Sequence, residues 1–99
     1  MGMKVRLCAS VWKGEKECDL VREVDLPFMP SPGLLFGISS EGYKDSADYE
    51  VDWVVYHLRE QVLECFPKSG FYYSALKDNE DFDDYVCYLK RLGFSERDD

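Results

Sequence analysis

The side chains richest in chemistry in this 99-residue chain are one histidine, His57, and four cysteines, Cys8, Cys18, Cys65 and Cys87. His57 is the only imidazole, and so the ordinary candidate for a general base near neutral pH. A catalytic pair between His57 and a thiol would have to form in space, since nucleophile and base need not be neighbours in sequence. No cysteine stands among the small residues of a nucleophile elbow or a papain-like turn, so none is marked as activated. The cysteine spacings of 10, 47 and 22 contain no CxxC. Zinc needs ligand pairs held close on a turn or hairpin, and that pattern is missing. Without an export signal to place the chain in an oxidising compartment, the expectation is four free, mostly buried thiols.

The carboxylates of Asp78, Glu80, Asp81, Asp83 and Asp84 are the second candidate. A calcium loop of the EF-hand kind needs alternating ligands, a central glycine and a closing glutamate. Here there is no glycine, and Tyr88 and Leu89 stand where that glutamate would be. A glycosidase pair needs a cleft as well, for which a small sheet has little room. Phosphate loops need backbone N–H donors, and Ser31-Pro32-Gly33 offers proline instead. The expected chemistry is therefore none: no metal, no cofactor, no catalytic residues.

Charge and rings point toward binding. The net charge is −8; residues 1–40 are neutral and the whole excess falls in residues 41–99. Such a field repels nucleic acid and anionic membranes and favours a basic partner. Seven Tyr, six Phe and two Trp exceed the need of one small core. Tyr88 falls off the apolar stripe of its helix, Trp12 points away from the apolar face of its strand, and the 71–73 run must send one ring outward. Tyr88, Asp84, Tyr72 and Trp12 are accordingly the candidate binding residues, because Tyr and Trp concentrate at interface hot spots.

These residues are positioned by elements of clear pattern. Residues 3–12 alternate, with Met3, Val5, Leu7, Ala9 and Val11 against Lys4, Arg6 and Ser10, and read as a half-buried strand. A polar turn over residues 13–17 leads to a second strand, residues 18–26, where Arg22 on the apolar face suggests a bulge. Three prolines in residues 27–33 exclude a helix or a central strand. Residues 34–38 read as a short buried strand and residues 39–48 as a loop. Residues 49–58 read as a strand, with Tyr49, Val51, Trp53 and Val55 on one face and His57 with them. Residues 59–66 are open to strand or helix, with strand favoured because residues 67–70 then make a hairpin turn into residues 71–76. The last segment is a helix over about residues 79–92. Asp78 or Asn79 caps it, Lys90 and Arg91 sit in its last turn, and Gly93 terminates it. Phe82, Tyr85, Val86 and Leu89 form its apolar stripe.

The fold expected is α+β, mainly an antiparallel meander of five or six strands, a curved sheet or small open barrel with the C-terminal helix packed on it. Residues 1–99 fit one domain. No apolar run is long enough to span a membrane, and the N-terminus reads as mature, unexported and cytoplasmic. The function this supports is non-enzymatic protein binding by an inhibitor, immunity-type or adaptor module with an acidic and aromatic surface. Nucleic-acid mimicry is a variant of it, and homodimerisation through an exposed strand edge is compatible with it. The alternatives are a small Cys/His enzyme and a barrel carrying a small apolar ligand.

Overall fold

Alternation along β1 (Met3–Lys13) sends Val5, Leu7, Ala9 and Val11 to a buried face and Lys4, Arg6, Ser10 and Trp12 to the opposite one. A computed structural model describes this strand with the rest of residues 2–38 and 49–97. The loop expected over residues 39–48 lies outside the described residues. β2 (Lys16–Leu26) pairs with β1 over its whole length, Met3 opposite Leu26 and Lys13 opposite Lys16. The connection is tighter than the sequence implied. Gly14 and Glu15 alone make the turn, with Gly14 at φ +60.

No bulge forms at Arg22. It stays in register opposite Leu7, on the apolar face, and its guanidinium donates to the Leu92 carbonyl at 2.8 Å. A charged side chain is tolerated there because it reaches the rim and satisfies a carbonyl at the end of the helix.

The remaining elements are β3 (Leu35–Phe36), β4 (Tyr49–His57), β5 (Val62–Pro67), β6 (Tyr73–Ala75), the helix α1 (Phe82–Arg91) and β7 (Ser95–Glu96). The strands form one sheet in the order β3-β4-β5-β1-β2-β7, with β6 also beside β1. It is a strand-dominated α+β fold, a sheet curled into a half-barrel with one short helix. The sheet is mixed, which corrects the antiparallel meander. β5 runs parallel to β1 along Val5–Leu7, and β6 runs parallel to it along Ser10–Trp12. The expected hairpin from β5 into residues 71–76 does not form. The chain leaves the lane after β5, loops through residues 68–72 and re-enters the same lane as β6. Strand alternation reports which face a residue takes, not which strand lies beside it, so the parallel neighbour was invisible to pattern.

Tyr49 fills the break in that lane. Its hydroxyl lies 2.6 Å from the Cys8 carbonyl and 2.9 Å from the Cys65 carbonyl, just where β5 parts from β1. Its ring packs on Tyr72 and Phe94 in the core. β4 also departs from simple alternation. A register shift between Val51 and Trp53 leaves Tyr49 and Val51 facing the core and turns Trp53 outward, opposite Phe66. The apolar run expected at residues 34–38 yields only a two-residue strand, with Leu35 exposed and Ile38 buried.

α1 begins later than expected. Lys13 reaches over to the carbonyls of Asp78 and Glu80, at 3.3 and 2.5 Å, and holds that stretch out of helical geometry. Asp81 becomes the N-cap, accepting the Asp84 N–H at 2.9 Å. At the other end the Gly93 N–H donates to the Lys90 carbonyl and the Phe94 N–H to that of Leu89, with Gly93 at φ +97. This is the glycine-terminated end that the sequence specified. Val86 and Leu89 are buried against the sheet with Leu92 and Phe94, while Phe82 and Tyr85 are half-buried at the margin.

Candidate functional site

The face of the sheet away from α1 holds an ionic cluster that no local motif announced. Register places Arg6 beside Glu64 and Glu64 beside Val55, so Arg6, Glu64 and His57 share one face of three adjacent strands. Glu64 is 3% exposed. His57 Nε2 contacts its Oε1. Its Oε2 meets Arg97 Nη2 at 2.8 Å, Arg6 Nη1 at 3.7 Å and the Cys8 Sγ at 3.4 Å. Burial alone would raise this carboxyl, but hydrogen bonds from His57 and Cys8 and the charge of Arg97 outweigh it. Glu64 is held below the usual glutamate range. It was legible in one respect: a lone charge inside Val62-Leu-Glu-Cys-Phe66, apolar on both faces, must find partners or leave the core.

The order of groups in this cluster decides its chemistry. An activated cysteine needs the imidazole between thiol and carboxylate. Here the carboxylate lies between, touching both. Burial pushes the Cys8 thiol up to about 12, and the adjacent Glu64 charge and hydrogen bond push in the same direction. Cys8 accordingly stands as a hydrogen-bond donor to Glu64. Burial likewise lifts Cys65 to about 11, and burial with the neighbouring Glu96 raises Cys18. All four cysteines are free, and among the described residues no group of His, Cys, Asp and Glu is arranged to hold a metal ion. The expected labelling order follows from exposure. Native protein treated with iodoacetamide should be alkylated first at Cys87 and more slowly at Cys18. Cys8 and Cys65 should react only after denaturation. Peptide mass spectrometry reads this directly, and early labelling of Cys8 would overturn the account of its environment.

The four residues singled out as binding candidates are not brought together. Tyr72, expected at the surface, is 2% exposed and lies in the core between Tyr49 and Phe94. Alternation into β6 turns Tyr73 outward instead. Tyr88 is half-buried with its ring 5.5 Å from Phe71, because the loop of residues 68–72 carries Phe71 onto the helix between Tyr85 and Tyr88. Asp84 is exposed in the first turn of α1. Trp12 does point away from the apolar face, edge-on to Tyr73 with ring centroids 5.1 Å apart. A groove of about 230 Å³ beside it is lined in part by Cys8, Ser10, Phe66, Tyr73 and Arg97.

Several exposed apolar side chains lie on or near β4 and the segment before β3. β3 accompanies β4 only at Tyr49 and Glu50, with the Gly33 N–H on the Val51 carbonyl. To follow β4 further, the chain would have to run backward through Pro32 and Pro30, which lack N–H donors. It turns away instead, with Pro30 fully buried. Among the described residues nothing pairs with the far side of β4 from Trp53 to His57. Trp53 is 50% exposed and stacks on Phe66, and Leu58 in the following turn is 82% exposed. Phe28 and Met29 share a groove of about 400 Å³ with Tyr56, and Leu35 is exposed on β3.

Comparison of the chain with protein-family models, with curated proteins and with solved structures returns no match. No helix among the described residues is long and apolar enough to cross a membrane.

Proposed function

We propose that this chain is a non-enzymatic protein-binding module and that it takes its partner along the free edge of β4. The observation that carries the reading is a strand edge that no described residue pairs, bearing the exposed side chains of Trp53 and Tyr56. An open edge offers a row of backbone donors and acceptors, and natural proteins ordinarily protect such edges with charge, proline or a covering element. Residues 53–57, Trp-Val-Val-Tyr-His, contain no carboxylate, lysine, arginine or proline. A partner strand would gain main-chain hydrogen bonds and the side chains of Trp53 and Tyr56 as anchors. Residues 53–57 hold no carboxylate, so what this edge selects is an apolar extended strand, not the basic surface suggested by net charge.

The test is affinity capture from the source organism with the wild-type chain and with a Trp53→Lys/Tyr56→Lys variant checked for folding by circular dichroism. A protein retained by the first and lost by the second is the expected result. Equal retention by both would overturn the β4 reading. Loss of a measurable activity on Cys8→Ser or His57→Ala would turn the function toward catalysis.

A further inference from the structure

We infer that the outer face of the β1–β2 hairpin holds a second contact site, independent of β4, that takes an arginine side chain of a basic partner protein. Alternation puts Ser10 and Trp12 on the face of β1 away from the core. Register sets Glu17 of β2 directly opposite Trp12, and Tyr73 of β6 directly beside Ser10. These four side chains therefore share one patch of three neighbouring strands. The β6 neighbour of Trp12 is Ala75, a side chain too small to cover an indole. Trp12 and Tyr73 meet edge-on with their planes at 73°, and so form two walls of a corner. Glu15, in the hairpin turn, and Glu17 border the same groove of about 330 Å³, with Ser10 also in its lining.

The charge of this patch is unanswered within the chain. Among the described residues Glu15 and Glu17 form no ion pair, and no cation stands over Trp12 or Tyr73. Lys16 borders the groove, but it pairs with Lys13 in register and its ammonium lies over the Phe82 ring, 5.8 Å from the centroid. Asp19, the next outward residue of β2, accepts the Ser10 hydroxyl at 2.7 Å, which leaves the Ser10 oxygen able to accept in turn. A guanidinium answers each of these features. Its plane stacks on an aromatic face, its charge meets the carboxylates, and its fork of donors reaches a carboxylate and a hydroxyl together. A lysine ammonium is a strongly hydrated point charge and uses a ring face less well. The net charge of −8 opposes a second copy as the source of the arginine. An apolar strand at β4 and an arginine here are separate contacts on separate parts of the sheet.

The test is an amide chemical-shift titration of the wild-type chain, by nuclear magnetic resonance, with the end-blocked tripeptide Gly-Arg-Gly. Saturable shifts centred on Trp12, Glu17 and Tyr73, with a millimolar dissociation constant, are the expected result. Glu15→Gln/Glu17→Gln, two changes at exposed positions, should weaken binding roughly fivefold. Trp12→Leu, checked for folding by circular dichroism, should weaken it roughly threefold. The citrulline tripeptide, which keeps the shape and lacks the charge, should leave these amides unmoved, and Gly-Lys-Gly should bind more weakly than Gly-Arg-Gly. An absence of saturable shifts at Trp12, or equal shifts with citrulline, overturns the inference. Equal binding of lysine and arginine overturns the assignment to a guanidinium. Shifts of the same amides on raising the protein concentration without peptide would make a second copy the occupant and overturn the basic partner. The Trp53→Lys/Tyr56→Lys variant should keep the arginine shifts, so this site and the β4 edge can fail separately. Loss of those shifts in the folded variant would move the arginine contact to β4 and overturn the site at Trp12.

Discussion

Glu64→Ala is expected to lower the unfolding free energy by about 3 kcal/mol, the low end of what removing one member of a buried ion pair costs. The low end applies because Arg6, Arg97 and His57 are themselves partly open to water, at 19%, 32% and 38%, and recover hydration when the carboxylate goes. Glu64→Gln should cost about half as much, since the amide oxygen still accepts one hydrogen bond. Urea unfolding followed by circular dichroism measures both. A loss below about 1 kcal/mol for the alanine variant would show that water screens the cluster. The damage should be local as well as global. Arg97 lies just beyond β7 and its guanidinium reaches across the sheet to Glu64, so amides of β7 should exchange faster in the variant.

The same group gives a pH dependence with a definite sign. The folded carboxyl is held below its ordinary value of 4.5, so on acidification the unfolded chain takes up this proton first. The stabilisation is complete above 4.5 and is lost as pH falls through the folded value. Glu64→Gln should flatten this part of the acid limb of the stability profile and leave the neutral region parallel to wild type.

The second large effect is expected at Tyr49. It is fully buried, packs against Tyr72 and Phe94, and places its hydroxyl between the Cys8 and Cys65 carbonyls. Tyr49→Ala should cost about 4 kcal/mol through the cavity it opens. Tyr49→Phe should cost about 1–2 kcal/mol, because two carbonyls at the parting of β1 and β5 lose their shared donor. Burial raises the phenol well above its usual value, so it remains a donor through the neutral range. Thermal melts of the two variants separate ring from hydroxyl. If Tyr49→Phe melts like wild type, the bridge contributes nothing to stability.

Several elements were legible residue by residue, and each rests on short-range chemistry. The β1 alternation, the helix with its charged ends and the glycine stop at Gly93 involve neighbours within about four positions, where spacing alone dictates geometry. Proline exclusion over residues 27–33 is equally local. The errors have a common origin in distant contacts. The helix start moved because Lys13, far away in sequence, ties up the carbonyls before it. Arg22 suggested a bulge because its acceptor at Leu92 lay out of view. Tyr72 looked like a surface ring because the parting of β5 from β1, and the pocket it makes for Tyr72, is a property of strand order.

The candidate site divides in the same way. Chain chemistry alone established an acidic, aromatic-rich protein with four cysteines in no CxxC spacing and a short β-branched strand ending at His57. Tertiary structure decided that Glu64 joins Cys8, His57, Arg6 and Arg97. Among the described residues it also left the far side of β4 from Trp53 to His57 without a strand partner. Both outcomes depend on which strands become neighbours, and that is determined by pairing across dozens of residues, not by the local preferences a pattern records.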